Sequence, residues 1–315
     1  MPAHLLSVVL PTHDRPEPLE RAARSVLDQR AGELELLIVD DASSPGTLEV
    51  LDRLASDPRV RVLRNEASLG PGGSRNRGIA AATGDLLSFC DDDDAWLPGA
   101  LAAVLDRLEA DTEVGVVTSW HRVVHDRTGR TALFRGPLQY EARQLLWFDF
   151  VAIPFGVIRR PMFPDDLAVD VGLRTGEDWD LWLRCAQTRP VVTLPLALYA
   201  YHQHGGERVT RQGSGPHAGR QAFIDKHGPS MSPACRIYHQ LVLARLAGGR
   251  RGVADQLAAS VSTPVSTALA ASVLTAGSLA SDVGTRRQDP GLPARMMRIL
   301  LERASPAERG GGTYP

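Results

Sequence analysis

Short apolar runs that end in aspartate, separated by segments of helical spacing, constrain this chain more than any other feature. Residues 5–10 (LLSVVL) run into Pro11-Thr12-His13-Asp14, residues 35–39 (ELLIV) into Asp40-Asp41, and the Leu86, Leu87 and Phe89 stretch into Asp91–Asp94. Between the first two, Leu19, Ala22, Ala23, Val26 and Leu27 predict a helix over 17–29, with Pro16 where a first turn tolerates it. A second helix is expected over 47–54, a third strand over 60–63, a glycine-rich turn at 70–73 and a third helix over 74–82. This alternation predicts a parallel, doubly wound α/β sheet. Ligands of such sheets bind beyond the carboxyl ends of the strands, where the strand order reverses. Asp14, Asp40, Asp41 and Asp91–Asp94 are therefore expected along one edge. Four adjacent carboxylates repel one another, so water, a helix N-terminus or a divalent cation must compensate them. The other reading of the run is a solvated acidic turn ahead of the helix near Pro98.

Farther along, a helix is expected over 101–108, a strand over 114–124 and a hairpin turn at 127–130 leading into 131–134. An aromatic, apolar segment covers 147–158, and a helix follows Thr175-Gly176-Glu177-Asp178 through Leu181, Leu183 and Ala186. Strands are read at 191–194 and again at 198–204 (LYAYHQH). Beyond about residue 215 the pattern becomes helical, notably over 237–246 and 253–279, with a disordered tail from 309. The domain reading is 1–212, a helical region over 213–308, and the tail 309–315. A formal net charge of −2 in 315 residues removes the case for general nucleic-acid binding. Cys90, Cys185 and Cys235 lie far apart with no metal-ligand spacing, which fits reduced thiols of a cytosolic protein. The N-terminus lacks the basic segment of a signal peptide. The apolar run 261–280 contains Pro264 and several hydroxyl residues, so a packed helix is expected there in place of a membrane span. The expectation is a cytoplasmic protein, with peripheral placement at the inner membrane face left open.

SVVLPTHDRP, LLIVDDASS, GPGGSRNRGIAAATGDLLSFCDDDDAWLP, GEDWDLWLR and YHQH follow one another from Leu5 to about His204. In order and spacing they resemble the family 2 inverting glycosyltransferases of GT-A fold. The resemblance implies a Rossmann-like, mostly parallel sheet with a helical C-terminal extension. It also implies a hexosyl transfer from a nucleotide-sugar donor, UDP by family frequency with dTDP and GDP open, assisted by Mn²⁺ or Mg²⁺. The implied acceptor is a hydroxyl on a glycan, lipid-linked or secondary-metabolite molecule, read by residues 139–174 and the C-terminus. The C-terminal helices would cover that acceptor or form a homodimer interface.

Carried over residue by residue, Asp91-Asp92-Asp93 is similar to the family's D-x-D element. Asp93 then ligates the metal and Asp91 holds the donor ribose or a metal-bound water, with Asp92 in the same donor site. Acidic Asp94 leaves open which carboxylate binds directly. Asp41 resembles the residue that accepts from the base, and Pro11, Thr12 and Asp14 the loop that walls it, although asparagine is commoner at the position of Asp14. Arg75 resembles an arginine near the nucleotide, a helix-surface role being an equal alternative. Asp178 resembles the general base that takes the acceptor proton, while Thr175-x-x-Asp178 also reads as a capping box. Glu177 is structural or touches the acceptor. Trp179 and Trp182 divide between acceptor platform and core, and Trp96 is core. His204 is read as a metal or diphosphate ligand, with His202 as its competitor. Two other functions stay in view. A sugar-nucleotide nucleotidyltransferase would want glycine in the PTHDRP loop, and a non-catalytic sugar-binding module would be favoured by loss of these carboxylates. The glycines at 70, 72 and 73 follow the third strand, which argues against a dinucleotide site.

Overall fold

The computed structural model describes residues 4–147, 154, 156–164, 167–173, 175–204 and 215–259. Strand β1 (Leu5–Thr12) is buried from Leu6 onward, and helix α1 (Pro16–Leu27) follows it with Pro16 in its first turn. Next come β2 (Glu33–Asp40), α2 (Pro45–Leu54), β3 (Val60–Arg64), α3 (Gly70–Ala81) and β4 (Leu86–Phe89). A two-residue β5 (Ala95–Trp96) precedes α4 (Ala100–Ala110), β6 (Val116–His125), β7 (Arg130–Phe134) and β8 (Gln139–Tyr140). The short α5 (Ala142–Leu145), β9 (Val157–Arg159), α6 (Glu177–Thr188) and β10 (Val191–Gln203) complete this part of the chain.

These strands form one sheet in the order β3-β2-β1-β4-β9-β6-β10-β5, with β7 added to β6 and β8 to β10. Strands β3, β2, β1 and β4 are parallel neighbours, and β6 is parallel to β10. Antiparallel β9 joins the two parallel groups by pairing with β4 on one side and β6 on the other. The chain leaves β1 toward β2 and β3 and returns on the far side of β1 as β4, so the order reverses between β1 and β4. Leu6, Val8 and Leu10 pack with α1, α2 and α4 on one face. On the other face Gly78 of α3 lies so close to Val9 that a Cβ there would overlap both valine methyls. The absent side chain is what lets helix and strand approach.

Several local expectations change. Helix α3 starts at Gly70, not Ser74, because the Asp41 carboxylate accepts the N–H groups of Leu69 and Gly70 and Pro71 fits a first turn. Residues 191–203 are one strand, not two: Pro195 interrupts a ladder that resumes after register shifts at 194/197 and 197/199. The N-cap of α6 is Gly176 (φ +88°), so Thr175 lies one residue too early for the expected capping box. All three cysteines are buried and lie outside any disulfide.

The chain divides into two units, Met1–Arg208 and Val209–Pro315. The described part of the second is α7 (Gly215–His227) followed by α8 (Pro233–Ala259). It buries Phe223, Cys235, His239 and Leu241, with the Phe223 and His227 rings 4.7 Å apart. The apolar run 261–280, most of the helix read at 253–279, and the tail lie outside the described residues. No helix among the described residues is long and apolar enough to cross a membrane.

Candidate active site

The reversal point between β1 and β4 is closed by a side-chain bond: Thr12 Oγ1 donates to Asp92 Oδ2 at 2.9 Å. Arg15, at the start of α1, reaches both Asp92 and Asp93, each at 3.1 Å. Arg21 donates to the Asp93 carbonyl at 2.7 Å. Burial, with Asp93 and Asp91 nearby, outweighs Arg15 and Thr12 and pushes the Asp92 carboxyl up to about 6. Oxygens of Asp91, Asp93 and Asp94 lie within 4.8 Å of one another. Three clustered carboxylates are the hard donor set that Mg²⁺ or Mn²⁺ takes, so the chemistry of this cluster fits such an ion.

The end of β10 closes the cluster. His204 Nε2 stands 2.7 Å from Asp93 Oδ2, whereas the His202 ring turns to Asp126 at 2.7 Å. Of the two histidines, His204 is the one that faces the acidic cluster. Asp94 accepts the Tyr199 hydroxyl at 3.1 Å and the His202 N–H at 2.8 Å, which anchors it to β10. Asp93 lies between His204 and Arg15, at 2.7 and 3.1 Å.

Arg75 is the hinge pin of the arrangement, not a surface residue: its side chain is 6% exposed. One guanidinium nitrogen meets Asp91 at 2.6 Å and the other meets Glu177 at 2.9 Å. Its Nε–H is buried without a partner among the described residues, an orphan donor of the kind a ligand oxygen satisfies. Next to it on α3, Asn76 bonds both the N–H and the carbonyl of Val169, fixing the loop that leads toward α6. Asp178, half-buried in the first turn of α6, accepts the Trp179 N–H at 2.8 Å. Burial, then Glu177, push its carboxyl up to about 7 against the pull of that N–H and of Arg75.

Three expectations meet a different environment. The Asp41 carboxylate already accepts from Asn65 (2.6 Å), Ser68 (2.7 Å), Leu69 (2.8 Å) and Gly70 (2.9 Å). A base contact there requires one of those partners to be exchanged. Burial raises the Asp41 carboxyl, but these donors prevail and hold it below its usual range. Asp14 has φ +53° and binds the backbone and hydroxyl of Ser44 at 2.6 and 2.7 Å, while Pro11 lies buried inside β1. Trp179 is 4% exposed and gives its indole N–H to the Leu145 carbonyl, so the ring packs inside and offers no acceptor platform. Trp182 is fully buried against Gly156, and Trp96 is buried as expected.

Arg15 is the partner of the acidic cluster least visible in sequence. A cation at a helix N-terminus runs against the helix dipole, and that mismatch is the signal that an acidic partner waits nearby.

The profile of "Glycosyl transferase family 2" matches residues 7–163. Over 104 residues the chain is 38% identical to a GalNAc(5)-diNAcBac-PP-undecaprenol beta-1,3-glucosyltransferase of Campylobacter jejuni, covering 32% of this chain and 34% of that protein. The fold is similar to that of S. aureus TarS 1–349 crystallised with UDP-GlcNAc (TM-score 0.61, 15% identity, 87% of this chain and 92% of that one). It also resembles the Pyrobaculum calidifontis mannosyltransferase PcManGT in complex with GDP-Man and Mn²⁺ (TM-score 0.54, 18% identity, 94% and 86% covered). Those two likenesses establish a GT-A fold.

Proposed function

The chain belongs to glycosyl transferase family 2, and from that membership we propose that it is a metal-dependent, inverting glycosyltransferase. It moves a sugar from a nucleoside-diphosphate donor, with UDP favoured over dTDP and GDP, to an acceptor hydroxyl. The observation that carries this reading is the Arg75 bridge, which ties Asp91 of the acidic cluster to Glu177, the neighbour of Asp178. Donor site and base are thereby held in one constellation.

In this reading Asp91, Asp93 and His204 hold Mg²⁺ or Mn²⁺, which when bound neutralises the charge of the departing diphosphate. Asp178 takes the proton from the acceptor hydroxyl as that oxygen attacks the anomeric carbon. A carboxyl raised to about 7 suits this task, because a base titrating near working pH is both available and strong enough to accept a proton. Arg75 keeps the carboxylates on either side of it from repelling one another. Thr12 and Arg15 fix Asp92 and so the wall between β1 and β4. The C. jejuni relative's named acceptor is consistent with a lipid-linked acceptor here.

The test is thermal stability against UDP, dTDP, GDP and NAD, each with and without Mn²⁺. A ligand at about 100 times its Kd adds roughly 2.7 kcal/mol. A rise that needs both Mn²⁺ and one nucleoside diphosphate is expected. Absence of any such rise, or a rise with NAD alone, overturns the reading.

A further inference from the structure

The β6–β7 hairpin carries Arg122, Arg127, Arg130 and Arg135 against a single acid, Asp126, and that acid is engaged by His202. All four arginines are exposed, and none makes an ion pair among the described residues. A chain of net charge −2 thus concentrates unpaired cations on one ribbon.

The placement of that ribbon follows from contacts. Val116 pairs with Ile158, which puts Gly156 on the same sheet face as Val116, Trp120 and Arg122. A Cβ at Gly156 would strike Trp182, so α6 covers that face. A Cβ at Gly115 would strike Arg189, just past the end of α6, so the helix runs opposite to β6. From Arg189 back to Asp178 is about 16 Å of helix, and from Gly115 to Trp120 is about 16 Å of strand. Asp178 therefore stands level with Trp120. Arg122 pairs with Leu133 on this face, and Arg135 lies over the Trp120 ring, 5.3 Å from its centroid. The turn end is tied to the cluster as well: His125 pairs with Gln203, beside His204, and the Asp126 N–H bonds the Gln203 carbonyl at 3.1 Å.

Taking Asp178 as the base, a reading on which this one rests, we infer that Trp120, Arg122 and Arg135 form an acceptor subsite for a phosphate or diphosphate group carried by the acceptor. The Trp120 ring steadies Arg135, and the arginines supply the fork donors that phosphate oxygens take. Arg127 and Arg130 extend the positive field toward the turn.

Inorganic pyrophosphate is the probe, titrated calorimetrically into the full chain in EDTA. Without metal, the Asp91–Asp94 run repels it, so the binding measured reports the hairpin. Arg122→Ser/Arg135→Ser is expected to weaken binding about tenfold or more, Arg122→Lys/Arg135→Lys to restore part of it, and added salt to weaken the wild type. The shift with UDP and Mn²⁺ should be the same in wild type and both variants, which separates this test from that of the donor site. Equal pyrophosphate affinity in wild type and the serine variant, or no binding to either, overturns the subsite. So does a serine variant that loses only its pelleting with phosphatidylcholine vesicles containing phosphatidylglycerol, because the ribbon would then be a membrane contact.

Discussion

Replacing Arg75 by methionine keeps most of the stem's apolar contact and removes the charge with its two hydrogen bonds. Three carboxylates lose their buried counterion, two of them direct partners at 2.6 and 2.9 Å. Breaking a buried pair by deleting one partner costs about 3–5 kcal/mol. In a unit the size of Met1–Arg208, each kcal/mol moves Tm by about 2–4 °C, so a loss of about 6–20 °C is expected. The pH dependence is more diagnostic. Asp178 is held up at about 7 in the fold, above the ordinary aspartate value, so its contribution to stability is intact below about 4 and is lost as pH rises through about 7. Arg75 is one of the groups holding that carboxyl down, so Arg75→Met raises it further and extends the loss to higher pH. The Tm difference between wild type and variant should therefore widen from pH 6 to pH 9 in calorimetric scans, and Arg75→Met/Glu177→Gln should recover part of it. A difference that is constant with pH, or smaller at pH 9, would refute the electrostatic account and leave packing as the cause.

The other predictions concern chemistry and packing. Asp178→Asn should lower turnover by about 10²–10⁴-fold with nucleotide affinity unchanged. Wild-type kcat/KM for the donor should rise with pH toward a plateau above about 7, moved lower by an ion at the cluster, and the variant should lack that rise. For Asp93→Asn, loss of the Mn²⁺-dependent part of the UDP thermal shift is expected, with His204→Ala reducing it less. Full retention in Asp93→Asn would hand direct ligation to Asp94. Gly78→Val overpacks the α3–β1 contact and should cost about 1–3 kcal/mol in denaturant melts.

The buried strands were legible because both faces are covered: β1, β2 and β4 read as continuous apolar runs. Their aspartates then located the site edge through topology alone. Less legible were elements whose cause lies far away in sequence. Helix α3 begins at Gly70 because Asp41, just past the end of β2, caps it. The two-residue β5 exists only because Tyr199 and Ala200 pair with it. Arg75 could be placed near the nucleotide by motif, but its partner Glu177 lies on an element more than a hundred positions later. Trp179 illustrates the converse error: an aromatic beside a carboxylate suggests a platform, yet a distant carbonyl on Leu145 claims its N–H.

Strand β9 has only three residues, Val157–Arg159, yet its backbone bonds both β4 and β6. The two parallel groups thus become one sheet only when this late, far-travelled segment arrives. Long-range closure of this sort is slow, since the entropy of ordering the intervening chain is spent before the contact forms. Until then β4 and β6 each present an open edge to other chains. Synthesis of this protein therefore passes through a stage in which β4 lacks its partner until Arg159 is in place and β6 lacks one until β10 follows, and a nascent chain released before then would be the one to need a chaperone.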